Sequence, residues 1–148
     1  MGREFESLRA RQFYIMKNTI QETLFKLAQS VEPVRGARIA AAVVLRGKVV
    51  AYGYNHMKTH PFQTKYAKNE HAIFFHAETH AIKNALRSIE VDELSKCELY
   101  VMRARYNANH KWEFGMSLPC DGCKKCIEEF GIKQVHYTVN GSGIKTYH

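Results

Sequence analysis

Apolar residues recur at three- and four-residue spacing from Ile15 to Val31, with Ile20, Leu24, Leu27 and Val31 in one stripe. That period predicts an amphipathic helix, which Pro33 and Gly36 bring to an end. The pattern then changes. Arg38 to Leu45 and Lys48 to Tyr54 are rich in Val and Ala and predict two strands, joined by a tight turn at Arg46-Gly47. Asn55 to Phe75 follows neither period and reads as a long polar and aromatic loop; loops of more than about 12–15 residues in a compact domain commonly carry function. A second helix is expected over His76 to Ile89, with Ala81, Ile82, Ala85, Leu86 and Ile89 as its apolar stripe. Glu98 to Arg103 reads as a strand, and Arg105 to Leu118, which holds the one tryptophan, Trp112, as an irregular segment.

Pro119 to Phe130 predicts a short helix, since proline suits a first turn and Gly131 suits the exit. Lys133 to Val139 and Ile144 to His148 read as strands around the turn residues Asn140 to Gly143. The order α-β-β-α-β-α-β-β predicts an α/β protein, a three-layer α-β-α sandwich around a five-stranded mixed sheet. Four turn residues are too few for a helix, so the last two strands are expected to be antiparallel.

The 148 residues fit one domain, 1–148, with an N-terminal helical segment over 1–36 and the sheet and remaining helices over 37–148. Hydrophobic residues make up 45% and charged residues 24%, which is globular composition. The longest apolar run, Ile39 to Leu45, is seven residues, far below the ~20 of a bilayer span. The residues after Met1 are charged and do not resemble a signal peptide, so no membrane partner and a cytoplasmic location are expected. The net charge of +8 is uneven: residues 37–75 carry six Lys and Arg against one Glu. Such a stretch suits an acidic or phosphorylated partner, or a plain solvated face.

The chemistry gathers at two places. His76-Ala77-Glu78 opens one expected helix, and Pro119-Cys120-Asp121-Gly122-Cys123 opens another. One imidazole and two thiolates make a three-ligand zinc site, and three protein ligands leave the fourth tetrahedral position for water, as catalytic zinc requires. Glu78 lies in line with Ile82, Ala85 and Ile89 on the core-facing stripe. A carboxylate there is costly unless it is paired or takes a proton, which is the property a proton shuttle uses. His76 and Glu78, two apart, would not share a face of a continuous helix, so His76 is expected at the helix mouth. Cys126 lies about 9 Å along the helix axis from Cys120, at 1.5 Å per residue, and is expected to be a buried thiol; Cys97 is expected in the core. Read alone, the C-x-x-C pair also admits structural zinc or a redox pair.

His76-Ala77-Glu78 with Pro119-Cys120-x-x-Cys123, each opening a helix after strand material, resembles the zinc-dependent cytidine/deoxycytidylate deaminase superfamily. The resemblance spans about residues 37–139. It implies zinc on His76, Cys120 and Cys123, proton transfer by Glu78, and stabilisation of the reacting oxygen by the Ala77 backbone N–H. Gly53-Tyr54-Asn55 is similar to the segment whose asparagine contacts substrate, so Asn55 is carried over as a substrate contact. His80 stands where the deoxycytidylate group usually has asparagine, and the antiparallel ending resembles the free cytidine branch. The resemblance implies deamination of the cytosine ring of a free nucleoside or nucleotide by a homo-oligomer, and the basic loop Lys58 to Lys68 suits a substrate phosphate. Two alternatives stand beside it: a deaminase of a base within RNA or single-stranded DNA, stacking on Phe62, Tyr66 and Trp112, and a non-catalytic zinc-stabilised binding protein in which Cys126 or His80 closes the metal.

Overall fold

Ala40, Ala42 and Val44 point to one side of a strand and Ala41 and Val43 to the other, and all five are buried. A strand whose alternating faces are both covered must lie inside a layered structure. This is strand β1 (Arg38–Leu45), the middle of the fold. The computed structural model of the protein describes residues 19–59, 61–66, 74–141 and 143–148. The expected helix start at Ile15 and the loop cation Lys68 lie outside the described residues.

Helix α1, described over 19–30, places Ile20, Leu24 and Ala28 on the β1 face of Ala40, Ala42 and Val44, together with Tyr100 and Met102. The opposite face is covered by α3 (Ala77–Ala85) and α4 (Asp121–Glu129), whose Ala81, Ile82 and Ile127 pack on Ala41, Val43, Leu99 and Val101. The three expected layers are therefore present.

Beside β1 lie β2 (Lys48–Tyr54), which pairs with it antiparallel, and β5 (Cys97–Tyr106), also antiparallel in the register Ala41 to Val101. Next come β7 (Gln134–Thr138), parallel to β5, and β8 (Ile144–Tyr147), antiparallel to β7 as expected. The order β2-β1-β5-β7-β8 is the expected five-stranded mixed sheet. A sixth strand, β6 (Trp112–Gly115), pairs with the far end of β5 in the register Arg103 to Gly115. The segment read as irregular thus holds a hairpin arm.

The expected loop of Asn55 to Phe75 also contains structure: β3 (His56–Thr59), a single turn α2 (Pro61–Thr64), and β4 (Phe74–Phe75) paired back on β3. Helix α3 stops at Ala85 with Leu86 as its C-cap, shorter than the expected run to Ile89, though Ile89 still packs on the core.

The contact between α3 and β2 sets where the helix mouth points. At Gly53 the two backbones meet so closely that a Cβ would collide with the amide nitrogen of Ala81 and the carbonyl of Ala77. No rotamer relieves a clash with backbone, so a side chain here must lift α3 from the sheet. Gly53→Ala is expected to lower unfolding free energy by about 3 kcal/mol, the upper end for overpacking, as measured by urea denaturation.

Candidate functional site

His76 is the N-cap of α3 and Cys120 the N-cap of α4, both with extended backbone. An N-cap side chain stands just outside its helix, so His76 is free of the helical periodicity that would separate it from Glu78. The α3 and α4 mouths meet. Nδ1 of His76 lies 3.6 Å from Sγ of Cys120 and 3.3 Å from Sγ of Cys123, and the three donor atoms lie within 4.8 Å of one another. A tetrahedral zinc with bonds of about 2.0–2.1 Å to nitrogen and 2.3 Å to sulfur needs N···S separations of about 3.5 Å. The donor set and its spacing fit zinc.

Cys126 is fully buried and outside this group, and burial pushes its thiol up to about 12. Cys97 is also buried, its thiol directed at the Glu93 carbonyl. His80 stands apart as well. Its Nδ1 accepts from the Tyr54 N–H at 3.1 Å, and its ring packs against His56, Tyr54 and Phe75. Burial, and then the nearby His56, pulls its pKa down to about 4. Among the described residues neither Cys126 nor His80 joins the donor cluster.

Glu78 is 5% exposed, in the first turn of α3 and on the same stripe as the buried Ile82 and Ala85. Burial raises its carboxyl above the ordinary carboxylate range, while the charge of His76 pulls the other way. A hydrogen bond from Cys123 holds the Cys120 thiol down at about 3. In the same pairing, bonding to Cys120 together with burial keeps the proton on Cys123. Metal binding would release such protons.

His76, Glu78 and Cys120 line a cavity of about 290 Å³ that also takes in Asn55, Ala77 and Arg103, with Cys123 buried behind them. Asn55 is buried there. Its Oδ1 accepts from the Ile39 N–H and its Nδ2 donates to the Ala37 carbonyl, both at 2.9 Å. One N–H and one lone pair of the amide are left over for a ligand. Ala77 is the first residue of α3, where a helix leaves backbone N–H groups without an intrahelical acceptor.

Three supports of the site were missed in the sequence. The buried Gln63 of α2 presents Oε1 to the His76 N–H at 3.1 Å and to the Thr79 hydroxyl, tying α2 to the α3 mouth. Tyr66 donates to Glu129 at 2.8 Å and so docks the chain after α2 on α4. Ser117 and Thr138, both buried, form a hydroxyl pair beneath the approach to Cys120. The Ser117 hydroxyl donates to the Val101 carbonyl at 2.7 Å, and its oxygen accepts from the Thr138 N–H at 2.8 Å. The Thr138 hydroxyl donates to the Gly115 carbonyl at 2.6 Å. Among these four residues, Thr138, a polar residue within a strand pattern, is the one whose sequence hints at a role.

Partners that orient metal ligands typically contribute 10- to 100-fold in affinity. Gln63→Leu is expected to weaken zinc binding about 10-fold or more, read by competition with a chromogenic chelator, while Gln63→Glu, which keeps the acceptor, retains most of it.

Comparisons with known proteins agree with this architecture. The cytidine and deoxycytidylate deaminase zinc-binding region matches residues 16–139. The dCMP deaminase from the cyanophage S-TIM5, in apo form, superposes with a TM-score of 0.52 at 24% identity, over 82% of this chain and 83% of that one. The cytidine deaminase from Burkholderia pseudomallei superposes with a TM-score of 0.56 at 19% identity, over 84% and 89%. At these identities the likeness is one of fold. A comparison with curated proteins returns no match. The family match covers most of the chain, including both helix mouths and everything packed between them: the protein belongs to the cytidine and deoxycytidylate deaminase family and carries its zinc-binding region.

Proposed function

We propose that the protein hydrolytically deaminates the cytosine ring of a free nucleoside or nucleotide, releasing ammonia. The observation that carries the reading is the meeting of His76, Cys120 and Cys123 within 4.8 Å, beside a buried Glu78, at a cavity lined by His76, Glu78 and Cys120. In this reading His76, Cys120 and Cys123 hold the zinc, whose chemistry is to make a water acidic near neutral pH.

The chain's own residues do the rest. Glu78 takes a proton from the attacking water, which forms a bond to the amine-bearing ring carbon. Glu78 passes that proton to the ring nitrogen, then takes the remaining proton of the hydroxyl now bonded to the ring carbon and gives it to the amine, so that the C–N bond breaks, a C=O forms and ammonia leaves. A carboxyl raised by burial is suited to hold a proton between those transfers. The Ala77 N–H, at the start of α3, faces no intrahelical acceptor and suits the oxygen that gains charge. Asn55 positions the base or sugar with its remaining amide hydrogen. A homo-oligomer working in the cytoplasm belongs to the same reading.

One surface favours the alternative of a base within a single strand. Tyr106 and Trp112, on the β5–β6 arm, are 51% and 36% exposed, and the Arg38 guanidinium lies 5.3 Å from the Trp112 ring centroid. Exposed aromatics with a cation can stack bases. Catalysis, rather than a purely structural metal, is supported by the absence of a fourth protein donor from the cluster among the described residues.

Ammonia release across free nucleosides, nucleotides and single-stranded oligonucleotides tests the reading. The expected result is turnover of a free substrate, with Glu78→Ala retaining zinc and losing at least about 100-fold in rate, the scale of general acid–base catalysis. Full activity in Glu78→Ala would refute the assigned role.

A further inference from the structure

Arg103 occupies an unusual place for a guanidinium. It lies in β5 opposite Gly115 of β6, with its side chain lining the same cavity as Glu78 and Asn55. Its Nε is buried and has no hydrogen-bond partner among the described residues, and its guanidinium makes no ion pair among them. The neighbouring strand cation, Arg105, differs: it is paired with Glu113 at 2.7 Å. A buried donor left without an acceptor costs about 1–3 kcal/mol, and more for a charged group. Such a group is retained where a ligand supplies the acceptor.

The seat of this side chain is built. A Cβ at position 115 would come within 2.8 Å of Arg103 Cδ and 3.0 Å of its Cγ, so Gly115 provides the space in which the stem lies. The backbone beneath is held rigidly. Arg103 N–H donates to the Thr138 hydroxyl at 3.1 Å, and that hydroxyl donates to the Gly115 carbonyl at 2.6 Å. Both residues are thus locked by one buried side chain. Arg35, on the turn before β1, lines the same cavity, which gives two guanidinium groups against the single carboxyl of Glu78.

We propose that Arg103 is a specificity-determining residue that binds a phosphate oxygen of the substrate, so that the cavity selects a phosphorylated cytosine compound over the bare nucleoside. A planar guanidinium fork matches phosphate in two-point geometry, whereas a neutral sugar hydroxyl leaves its charge unmatched. This rests on the deaminase reading above and moves the phosphate from the Lys58 to Lys68 loop to the floor of β5. Lys58 lines a neighbouring depression of about 420 Å³ that shares Val34 and Asn55 with this cavity but is not lined by Glu78, His76 or Cys120. The phosphate could belong to a free nucleotide or to a strand; the chemistry at Arg103 is the same.

The test compares wild type, Arg103→Met, Arg103→Lys and Lys58→Met. Each is assayed on deoxycytidine, on dCMP and on a cytosine-containing single-stranded oligonucleotide, with calorimetric binding of dCMP and deoxycytidine measured in parallel. Losing a charged hydrogen bond should reduce kcat/KM and affinity for dCMP about 10- to 100-fold in Arg103→Met, with deoxycytidine changed less than about 3-fold and Lys58→Met near wild type on dCMP. Arg103→Lys, which keeps charge but loses the fork, should fall between and serves as the variant that folds if the methionine does not. Loss on the oligonucleotide alone would assign the phosphate to a strand. Equal loss on deoxycytidine and dCMP, or no change on any phosphorylated substrate, would overturn the proposal. If wild type turns over nothing, the deaminase reading fails, while the two binding titrations still decide Arg103.

Discussion

A carboxyl group on the core side of a helix is tolerable only where something answers for its charge. Glu78 lies there, almost fully removed from water, with two sulfurs and an imidazole as its neighbours. The rest of the molecule can be understood as what keeps those four side chains together. Two helices point their N-terminal ends at one spot, and the sheet beneath fixes the angle of each. The close approach at Gly53 seats α3 on β2. Tyr66 ties the preceding segment to the far end of α4. The Ser117–Thr138 pair locks the strands from which the chain passes to Cys120. The donor atoms are consequently spaced for an ion before one binds, which limits the ordering that binding must supply.

Much of this was legible in the sequence because it is written at short range. The inward position of Glu78 follows from its offsets to Ile82 and Ala85 along one helix. The placement of His76 outside that helix follows from the two-residue gap between them. The antiparallel ending follows from the brevity of Asn140 to Gly143. The assignment of Cys126 to the interior needed only the rise per residue. Each of these inferences uses contacts within a dozen residues, where periodicity and chain geometry are sufficient.

What escaped depends on pairing across longer distances. Strand β6 is only four residues long and exists because the end of β5 outruns β7 and would otherwise leave its edge unpaired. Strands β3 and β4 have no periodic pattern between them, and each is defined by the other. Gln63 sits in one helical turn, and its value to His76 and Thr79 is set by a contact 13 to 16 residues away. Arg103 looks in sequence like the solvated end of a strand. The glycine that makes room for it lies on another strand, so only the register reveals that its side chain belongs to the cavity.

In the proposed function, His76, Cys120 and Cys123 hold the ion and leave its fourth position to solvent. X-ray absorption at the zinc edge of the resting protein reads this directly. Two sulfurs at about 2.3 Å, one imidazole nitrogen and one further oxygen at about 2.0–2.2 Å are expected. A third sulfur or a second imidazole in the coordination sphere would contradict it.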